Sequence, residues 1–347
     1  MSSLPETRSR LPEVSAQKRR EILALEPTPE RHAALLLSLG FAAAVERVGA
    51  EPARPAPGTA PLRAVAWNAQ RCADPARAAE FLRASGADVF LLSELDVGMA
   101  RSGQLHTARE LADRLGCAGA YAVEFLELGL GDADEQARHA GAENALGFHG
   151  SAVLARRPLA APEVLRVERG GRWFDGRLGE RRVGSRIAVL CRVAFGDGEL
   201  ALAAVHLENH ADPEERAAQL EAVLDRLDAF APGLPALVGG DVNTHSLGRA
   251  ELENPARLRD ALASAPGRLL DPVPHEPLFA LAERRGFEWR TANLRRTPTH
   301  RLRGRPVLQL DWFFARGLAL TEPAVLSCGE LSDHDAVALT VRPLGAG

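Results

Sequence analysis

The sequence is almost free of lysine. Lys18 is the only one, and every other basic residue is an arginine. Chemistry that depends on a lysine, such as a P-loop phosphate site or a pyridoxal Schiff base, is therefore excluded except at the N-terminal end of the chain. Cysteine is also scarce, and the four cysteines are widely separated with no C-x-x-C pair. This spacing excludes a thiolate zinc knuckle and argues against a disulfide framework.

Long hydrophobic runs are missing from the N-terminal region. The longest stretch without a charged residue or histidine, 33–45, has thirteen residues, whereas a membrane span needs about twenty. Five glutamates precede it, which argues against a signal peptide. With 46 acidic and 42 basic residues the net charge is −4, which argues against a general nucleic-acid coat. We expect a soluble, cytoplasmic protein without a transmembrane segment.

The composition changes twice along the chain. Residues 14–48 have the apolar spacing of helices, and residues 51–61 contain four prolines, which is typical of an extended linker. We expect an N-terminal helical appendage at 1–50, a proline-rich linker at 51–62 and a main catalytic domain at 63–347. The main domain is long enough to bury a substantial core.

The main domain alternates short β-like runs with amphipathic helices. Helices are predicted near 74–84, 105–116 and 213–230, and strands at RAVAWN, ADVFLLSE, AYAVEF, GFHGSAVLA, RIAVLCRVAF, ELALAAVHL, PALVGGDVN, LQLDWFFA and AVALTVR. Two halves with this rhythm indicate an α/β four-layer sandwich, in which two mainly antiparallel sheets pack together between helices, rather than a barrel of eight βα units. Segments 129–147, 166–186 and 284–305 are predicted to be loops.

Polar residues end or follow the apolar runs, where an α/β protein can present catalytic groups without burying them in its core. The positions are Asn68, Glu94, His206, Asp241, Asn243, Asp311, Ser332, Asp333 and His334. Oxygen donors dominate this set and suit Mg²⁺ or Mn²⁺ better than zinc. In GGDVN, the two glycines are expected to admit a close approach of substrate.

Each motif also has a purely structural interpretation. Taken alone, G-D-x-N is equally typical of an Asx turn after a buried strand, and S-D-H of a capped turn before one. His334 alone is compatible with a hydrogen-bonded core histidine. The order of the motifs carries more weight than any one of them.

Six motifs occur in a fixed order: Asn after a first strand, Glu after a second, H-L, G-D-x-N, L-D-x-x-F and S-D-H. This ordered set, together with GFHGSAVLARRPL at 147–159, resembles the endonuclease/exonuclease/phosphatase superfamily over residues 63–342. The resemblance implies a deoxyribonuclease-I-like fold and metal-dependent hydrolysis of a phosphate ester by an activated water.

The resemblance also implies a metal site. Asn68 and Glu94 match the first metal-binding pair, Asp333 is expected to bind metal or substrate, and the cofactor is expected to be Mg²⁺ or Mn²⁺. Some nucleases of this superfamily place a further glutamate after a middle strand. Glu124 and Glu127 are equal candidates for that position.

The remaining roles implied by the resemblance concern the reacting phosphate. His206 matches the histidine that stabilises it, and Asp241 matches the group that aligns or deprotonates water, with Asn243 beside it. His334, oriented by Asp311, is expected to hydrogen-bond the phosphate and support the developing charge.

Two loops combine arginines with aromatic residues, as expected for a polyanionic substrate. We take Arg172, Arg182, Arg290 and Trp289 as candidates for substrate binding. The alternative is that a chain with one lysine uses arginine wherever it needs a solvated cation.

The function that these observations favour is a nuclease-like phosphodiesterase, with nucleic acid as one candidate substrate. The alternatives are an inositol-phosphate or phospholipid phosphatase or phosphodiesterase of the same superfamily and, from another class, a non-catalytic module that binds a phosphate ligand. A calcineurin-like metallophosphatase is excluded by motif order, because the N-H piece at 209–210 precedes the G-D piece at 240–241.

Overall fold

The computed structural model describes residues 6–52, 61–168 and 170–344. The predicted proline-rich linker falls largely on residues 53–60, which lie outside the described residues. Within these described ranges no helix has the length and hydropathy needed to cross a membrane. All four cysteines are buried free thiols.

The described part of the chain forms sixteen strands. They are β1 (Glu6–Arg8), β2 (Ala44–Val48), β3 (Leu62–Arg71), β4 (Val89–Val97), β5 (Ala118–Glu127), β6 (Phe148–Ala155), β7 (Leu159–Arg166), β8 (Arg182–Gly184), β9 (Ile187–Phe195), β10 (Gly198–His206), β11 (Ala236–Asp241), β12 (His300–Leu302), β13 (Arg305–Leu308), β14 (Asp311–Arg316), β15 (Leu318–Leu326) and β16 (Ala336–Pro343). Every strand that the sequence predicts is present.

The same ranges contain nine α-helices. They are α1 (Ala16–Leu23), α2 (Pro29–Ser38), α3 (Pro75–Ala84), α4 (Thr107–Leu115), α5 (Ala133–Arg138), α6 (Pro213–Phe230), α7 (Arg249–Leu252), α8 (Pro255–Ser264) and α9 (Leu278–Arg284). The predicted helices near 74–84, 105–116 and 213–230 are α3, α4 and α6. The predicted loops 129–147 and 166–186 contain α5 and β8, and 284–305 contains β12.

Two large sheets carry the fold. The larger sheet has the strand order β1-β2-β5-β6-β4-β3-β16-β15, with β8 added to β5, and the smaller sheet has the order β14-β11-β10-β9-β7. Most neighbours among the described strands are antiparallel, and the three parallel pairs are β1 with β2, β3 with β4, and β10 with β11. The predicted sandwich of two mainly antiparallel sheets is confirmed.

Alternation along the strands builds the four layers. In β10, Leu202 and Ala204 join the central core between the sheets, whereas Ala203 and Val205 face the outer core against α6 and α9. Trp67 of β3 packs in the other outer core, with α3 and α4. Successive side chains of a strand point to opposite faces, so strands buried on both sides read as continuous apolar runs.

The glycines of GGD allow close backbone and sheet packing. A Cβ at Gly239 would lie 2.6 Å from the Phe313 ring and 2.9 Å from Leu91 of the facing sheet. Gly240 has φ +148°, and a Cβ there would lie 2.0 Å from the Val205 carbonyl oxygen. The expectation that these glycines make room for substrate is therefore replaced by a packing role.

The N-terminal segment is more than a helical appendage. It contains α1 and α2 but also β2, which pairs with β5 in the larger sheet. Arg19 donates to the carbonyl oxygens of Val14 and Leu146 at 2.7 and 3.0 Å. His32 Nε2 lies 3.0 Å from the Gly184 carbonyl oxygen. The segment therefore packs against the 129–147 and 166–186 regions.

Candidate active site

Three predicted site residues lie side by side at one edge of the smaller sheet. His206 ends β10 and is in register with Asp241 at the end of β11. Asp241 is in turn in register with Asp311, the first residue of β14. Because β14 runs antiparallel to β11, the start of one strand meets the end of the other. Strand pairing thus brings together residues that are far apart in sequence.

Asn68 links this row to the larger sheet. Its Nδ2 donates to Asp241 Oδ2 and to Glu94 Oε1, both at 3.1 Å. Ser332 Oγ donates to the Asn68 carbonyl oxygen at 2.7 Å, and the indole of Trp67 donates to the His334 carbonyl oxygen at 2.8 Å. The S-D-H segment is therefore fixed against the end of β3.

The backbone is strained where the parallel strands β3 and β4 reach the site. Glu94 has φ +56°, and the consecutive residues Gln70, Arg71 and Cys72 have φ of 41°, 72° and 51°. The β3–β4 register shifts between Asn68 and Arg71. Left-handed non-glycine residues are costly and persist only where the surrounding structure holds them. Here they turn Arg71 and Glu94 toward the cleft.

His334 forms a buried ion pair with Asp311. Its Nδ1 donates to Asp311 Oδ2 at 2.8 Å. Burial alone would lower the pKa of His334, but the carboxylates of Asp311 and Asp241 outweigh it and raise that pKa to about 10. His334 is therefore an imidazolium at neutral pH, with Nε2 as a donor toward the cleft.

The ring of His206 lies between the carboxylate of Glu124 and the guanidinium group of Arg186. Its Nδ1 lies 3.2 Å from the Glu124 carboxylate, and Arg186 Nη1 donates to its Nε2 at 2.8 Å. Burial would raise the pKa of Glu124, but His206 and Arg186 hold it below its usual value. Of the two candidate glutamates, Glu124 is thus the one beside the site residues. Glu127 instead pairs with Arg182 at 2.9 Å.

The two histidines converge on one oxygen. His206 Nε2 lies 3.6 Å from Asp241 Oδ2, and His334 Nε2 lies 3.7 Å from the same atom. The other oxygen, Asp241 Oδ1, accepts a hydrogen bond from the Asn243 amide at 2.9 Å. The arrangement places two carboxylate-oriented imidazoles on either side of a carboxylate that can accept a proton from water.

Glu94 belongs to an ionic network that is rich in acid. Arg71 pairs with Glu94 at 2.8 Å and with two further glutamates. The connected network contains three arginines and five carboxylates: Arg71, Arg101, Arg182, Glu94, Asp96, Glu127, Glu135 and Glu180. Burial would raise the pKa of Glu94, but Arg71 and nearby histidines hold it well below its usual value.

These charges fit a divalent cation. The network around Glu94 has two more carboxylates than guanidinium groups, and an uncompensated buried charge is costly. Glu94 and Asp241 present oxygens on either side of the Asn68 amide, and oxygen donors are those that Mg²⁺ and Mn²⁺ prefer. Asp333, the third predicted ligand, lines the same cleft with a carboxylate that is 38 % exposed.

All predicted catalytic and metal residues except Asp311 line one cleft of about 780 Å³, and Asp311 lies behind His334. The four predicted substrate-binding residues do not line it. Trp289 is buried in the outer core, so its ring cannot stack on a base. Arg290 lies over that ring and pairs with Glu283, away from the cleft.

The other two arginines of that set hold loops in place. Arg172 donates to the His210 carbonyl oxygen at 2.7 Å and pairs with Glu215. Arg182 is buried in the ionic network. These contacts do not support phosphate binding by the three arginines, and the alternative of a solvated cation does not describe Arg182, which is buried.

Sequence reasoning missed several residues that line the cleft. Arg71 and Arg186 face it from the larger and smaller sheets, and Arg138 and His300 reach it from α5 and β12. Arg186 was not missed altogether, because it is the last residue of the arginine-rich segment 166–186, whose arginines and aromatic residues are those expected for a polyanionic substrate. The other three carry no comparable sequence signal.

Comparisons with known proteins agree with this fold. A family model described as the endonuclease/exonuclease/phosphatase family matches residues 65–334. No curated protein matches the sequence.

Two solved structures are similar in fold. An endonuclease/exonuclease/phosphatase from Beutenbergia cavernae DSM 12333 is 20 % identical, with 83 % of this chain and 73 % of that one covered and a TM-score of 0.53. The human Nocturnin catalytic domain with bound sulfate anion is 17 % identical, with 86 % and 97 % covered and a TM-score of 0.53. At these identities the likeness establishes the fold alone.

Proposed function

The chain belongs to the endonuclease/exonuclease/phosphatase family, and from this premise we propose that it is a divalent-metal-dependent phosphodiesterase of the nuclease type. Enzymes of this family hydrolyse phosphate ester bonds, and so does this chain. Divalent-metal dependence is common to the superfamily. The proposal concerns the kind of ester and the roles of individual residues.

The observation that carries the proposal is the convergence of two imidazoles on Asp241. A phosphodiester needs a proton acceptor for the attacking water and a proton for the leaving alkoxide. Asp241 supplies the acceptor, and the imidazolium of His334 donates to a phosphate oxygen, where charge develops. His206, positioned by Glu124 and Arg186, is the second imidazole and stabilises the reacting phosphate.

Glu94, Asn68 and Asp333 are the residues that would hold Mg²⁺ or Mn²⁺. The ion would supply positive charge to the phosphate and the leaving oxygen. Arg71, whose guanidinium already pairs with Glu94 at 2.8 Å, keeps that carboxylate ionised and in place. The strained backbone at residues 70–72 holds the guanidinium there.

The lining of the cleft favours recognition of a phosphodiester backbone over recognition of bases. Among the described residues that line it there is no tryptophan, tyrosine or phenylalanine, and base stacking is the usual role of such rings in nucleases and single-strand binders. The exposed guanidinium group of Arg138 lines the same space and suits phosphate oxygens, whereas those of Arg71 and Arg186 are held by carboxylates at its edge. We therefore expect little base preference.

The test is a substrate panel. It contains bis(p-nitrophenyl) phosphate, p-nitrophenyl phosphate, single- and double-stranded DNA, abasic-site DNA, RNA and inositol phosphates, each with Mg²⁺, Mn²⁺ and a chelator. We expect the diesters to react at least tenfold faster than the monoesters and every activity to stop with chelator. Asp241→Asn should lose this activity, whereas Asp260→Asn, on the exposed face of α8, should keep it.

Three outcomes would contradict the proposal in different ways. Faster hydrolysis of monoesters or inositol phosphates would make the chain a phosphatase. Activity that survives in Asp241→Asn would place the reaction elsewhere. A folded protein that binds phosphate esters and hydrolyses none of the panel would be the non-catalytic binding module.

A further inference from the structure

A second group of metal-ligating side chains lies at the rim of the cleft, under the hairpin β12–β13. It consists of His300, the first residue of β12, with Asp333 and His334 from the loop before β16. One ligand atom from each residue lies within 4.8 Å of the others. His300 Nε2 is 3.5 Å from Asp333 Oδ2, and the two imidazole centroids are 4.6 Å apart.

The backbone holds this cluster together. His300 and His334 form an isolated antiparallel β-bridge. The Arg301 amide donates to the Asp333 carbonyl oxygen at 2.8 Å, and the Asp335 amide donates to the Thr299 carbonyl oxygen at 2.7 Å. These hydrogen bonds fix the hairpin to the loop before β16 at the point where the three side chains meet. Ligands positioned in this way lose little entropy when they bind an ion.

His300 has no structural hydrogen bond that would explain its position. Its Nδ1 is buried and has no hydrogen-bond partner among the described residues. Its Nε2 forms one ion pair within the described part of the chain, with the Asp333 carboxylate. His334, in contrast, already donates its Nδ1 hydrogen to Asp311. A carboxylate behind the imidazole is the usual support of a metal-bound histidine, because it fixes the ring and makes the free nitrogen more basic.

We propose that His300, Asp333 and His334 form a binding site for a transition-metal ion of the zinc type, which lies beside the oxygen-rich site at Glu94 and shares Asp333 with it. Two imidazole nitrogens and one carboxylate favour such ions over Mg²⁺. Ligand atoms around tetrahedral zinc are about 3.3 Å apart, and the His300–Asp333 pair already meets this spacing.

Occupation of this site has a consequence that rests on the proposed function. An ion held by His334 Nε2 displaces the proton at that nitrogen into solvent and so removes the donor that faces the phosphate, and an ion held by Asp333 removes a ligand of the Mg²⁺ site. Zinc is therefore an inhibitor of the Mg²⁺-supported reaction, and it acts through His300. This histidine lies outside the motifs that define the family resemblance.

Direct binding tests the site independently of catalysis. Co²⁺ is titrated into the full chain and followed by its visible absorption, and Zn²⁺ is titrated by calorimetry in competition with Co²⁺. We expect one strong ion per chain and a loss of affinity of at least tenfold in His300→Ala and in Asp333→Asn. His139→Ala, which removes a histidine of the loop after α5, is the matched control and should bind as the original chain does.

The same variants separate the alternatives. The proposal is overturned if the original chain and folded His300→Ala bind zinc with equal affinity. It is also overturned if tight zinc binding is lost in Glu94→Gln but kept in His300→Ala and Asp333→Asn. Circular dichroism shows whether His300→Ala is folded, and His300→Gln replaces it if not. In the activity assay, the zinc concentration for half inhibition, relative to each variant's own Mg²⁺ rate, should rise at least tenfold in His300→Ala. If the chain hydrolyses none of the tested esters, the binding measurements still test the zinc site independently of the proposed function.

Discussion

Raising the pH from 6.5 to 10 is expected to destabilise the metal-free protein through one side chain, His334. Its pKa in the folded protein is about 10, whereas an exposed histidine in the unfolded chain titrates near 6.5. A pKa raised by folding adds stability that is fully present below the unfolded value. That stability is lost as the pH rises through the folded value.

The size of the effect follows from the ion pair. Burial raises the pKa of Asp311 although His334 lowers it, so the pair stabilises the fold by less than the pKa shift of His334 alone would give. The loss is about 1.4 kcal/mol per pH unit across this window. The side chain of His334 is 6 % exposed and that of Asp311 is fully buried, so solvent screens the pair little.

Urea unfolding at pH 6.5, 8 and 10 with a chelator measures this loss. The original chain should lose stability steeply over the series, whereas His334→Asn should start less stable and change little. His139→Asn, which replaces a histidine of the loop after α5, is the control variant and should follow the original chain. Parallel curves for the original chain and His334→Asn would refute the ion pair as described.

Three further predictions concern the site. Glu94→Gln should weaken Mg²⁺ binding at least tenfold in calorimetry while leaving the fold intact, because a ligand carboxylate is lost, and an unchanged titration would remove Glu94 from the metal site. Asp241→Asn and His334→Ala should each lower kcat by 10²–10⁴-fold, and the double variant should be far less impaired than the product of the single effects, because the residues act as a unit; a multiplicative loss would contradict that. Glu124→Gln should lower kcat with little change in thermal unfolding, whereas Glu127→Gln should lower the unfolding temperature more than kcat, and the reverse pattern would reassign the two glutamates.

Strand periodicity and motif order were sufficient to predict the sandwich and most of the polar residues that meet at its edge. Asn68, His206 and Asp241 end apolar runs, and strand pairing then brings those ends together. The family assignment and the fold are confirmed. The residue roles at the site remain proposals that the variants above test.

The substrate-binding residues could not be predicted in the same way. A run of arginines and aromatic rings in sequence does not reveal which face each side chain takes, and Trp289 turned out to be buried. Arg71 was missed because it depends on a left-handed backbone that no local pattern predicts. His300 was missed because its partners lie 33 and 34 residues further along the chain, beyond a hairpin and two strands.

The position of β3 in the larger sheet has a consequence for the synthesis of the protein. β3 lies between β4 and the last strand, β16, and the bond from Ser332 to Asn68 joins residues that are 264 positions apart. A ribosome therefore completes every other described element before β16, the second neighbour of β3, emerges. Until then, the nascent chain carries most of the predicted site residues without the strand that joins β3 to β15, so we expect hydrolysis to begin only after the whole sandwich has been made.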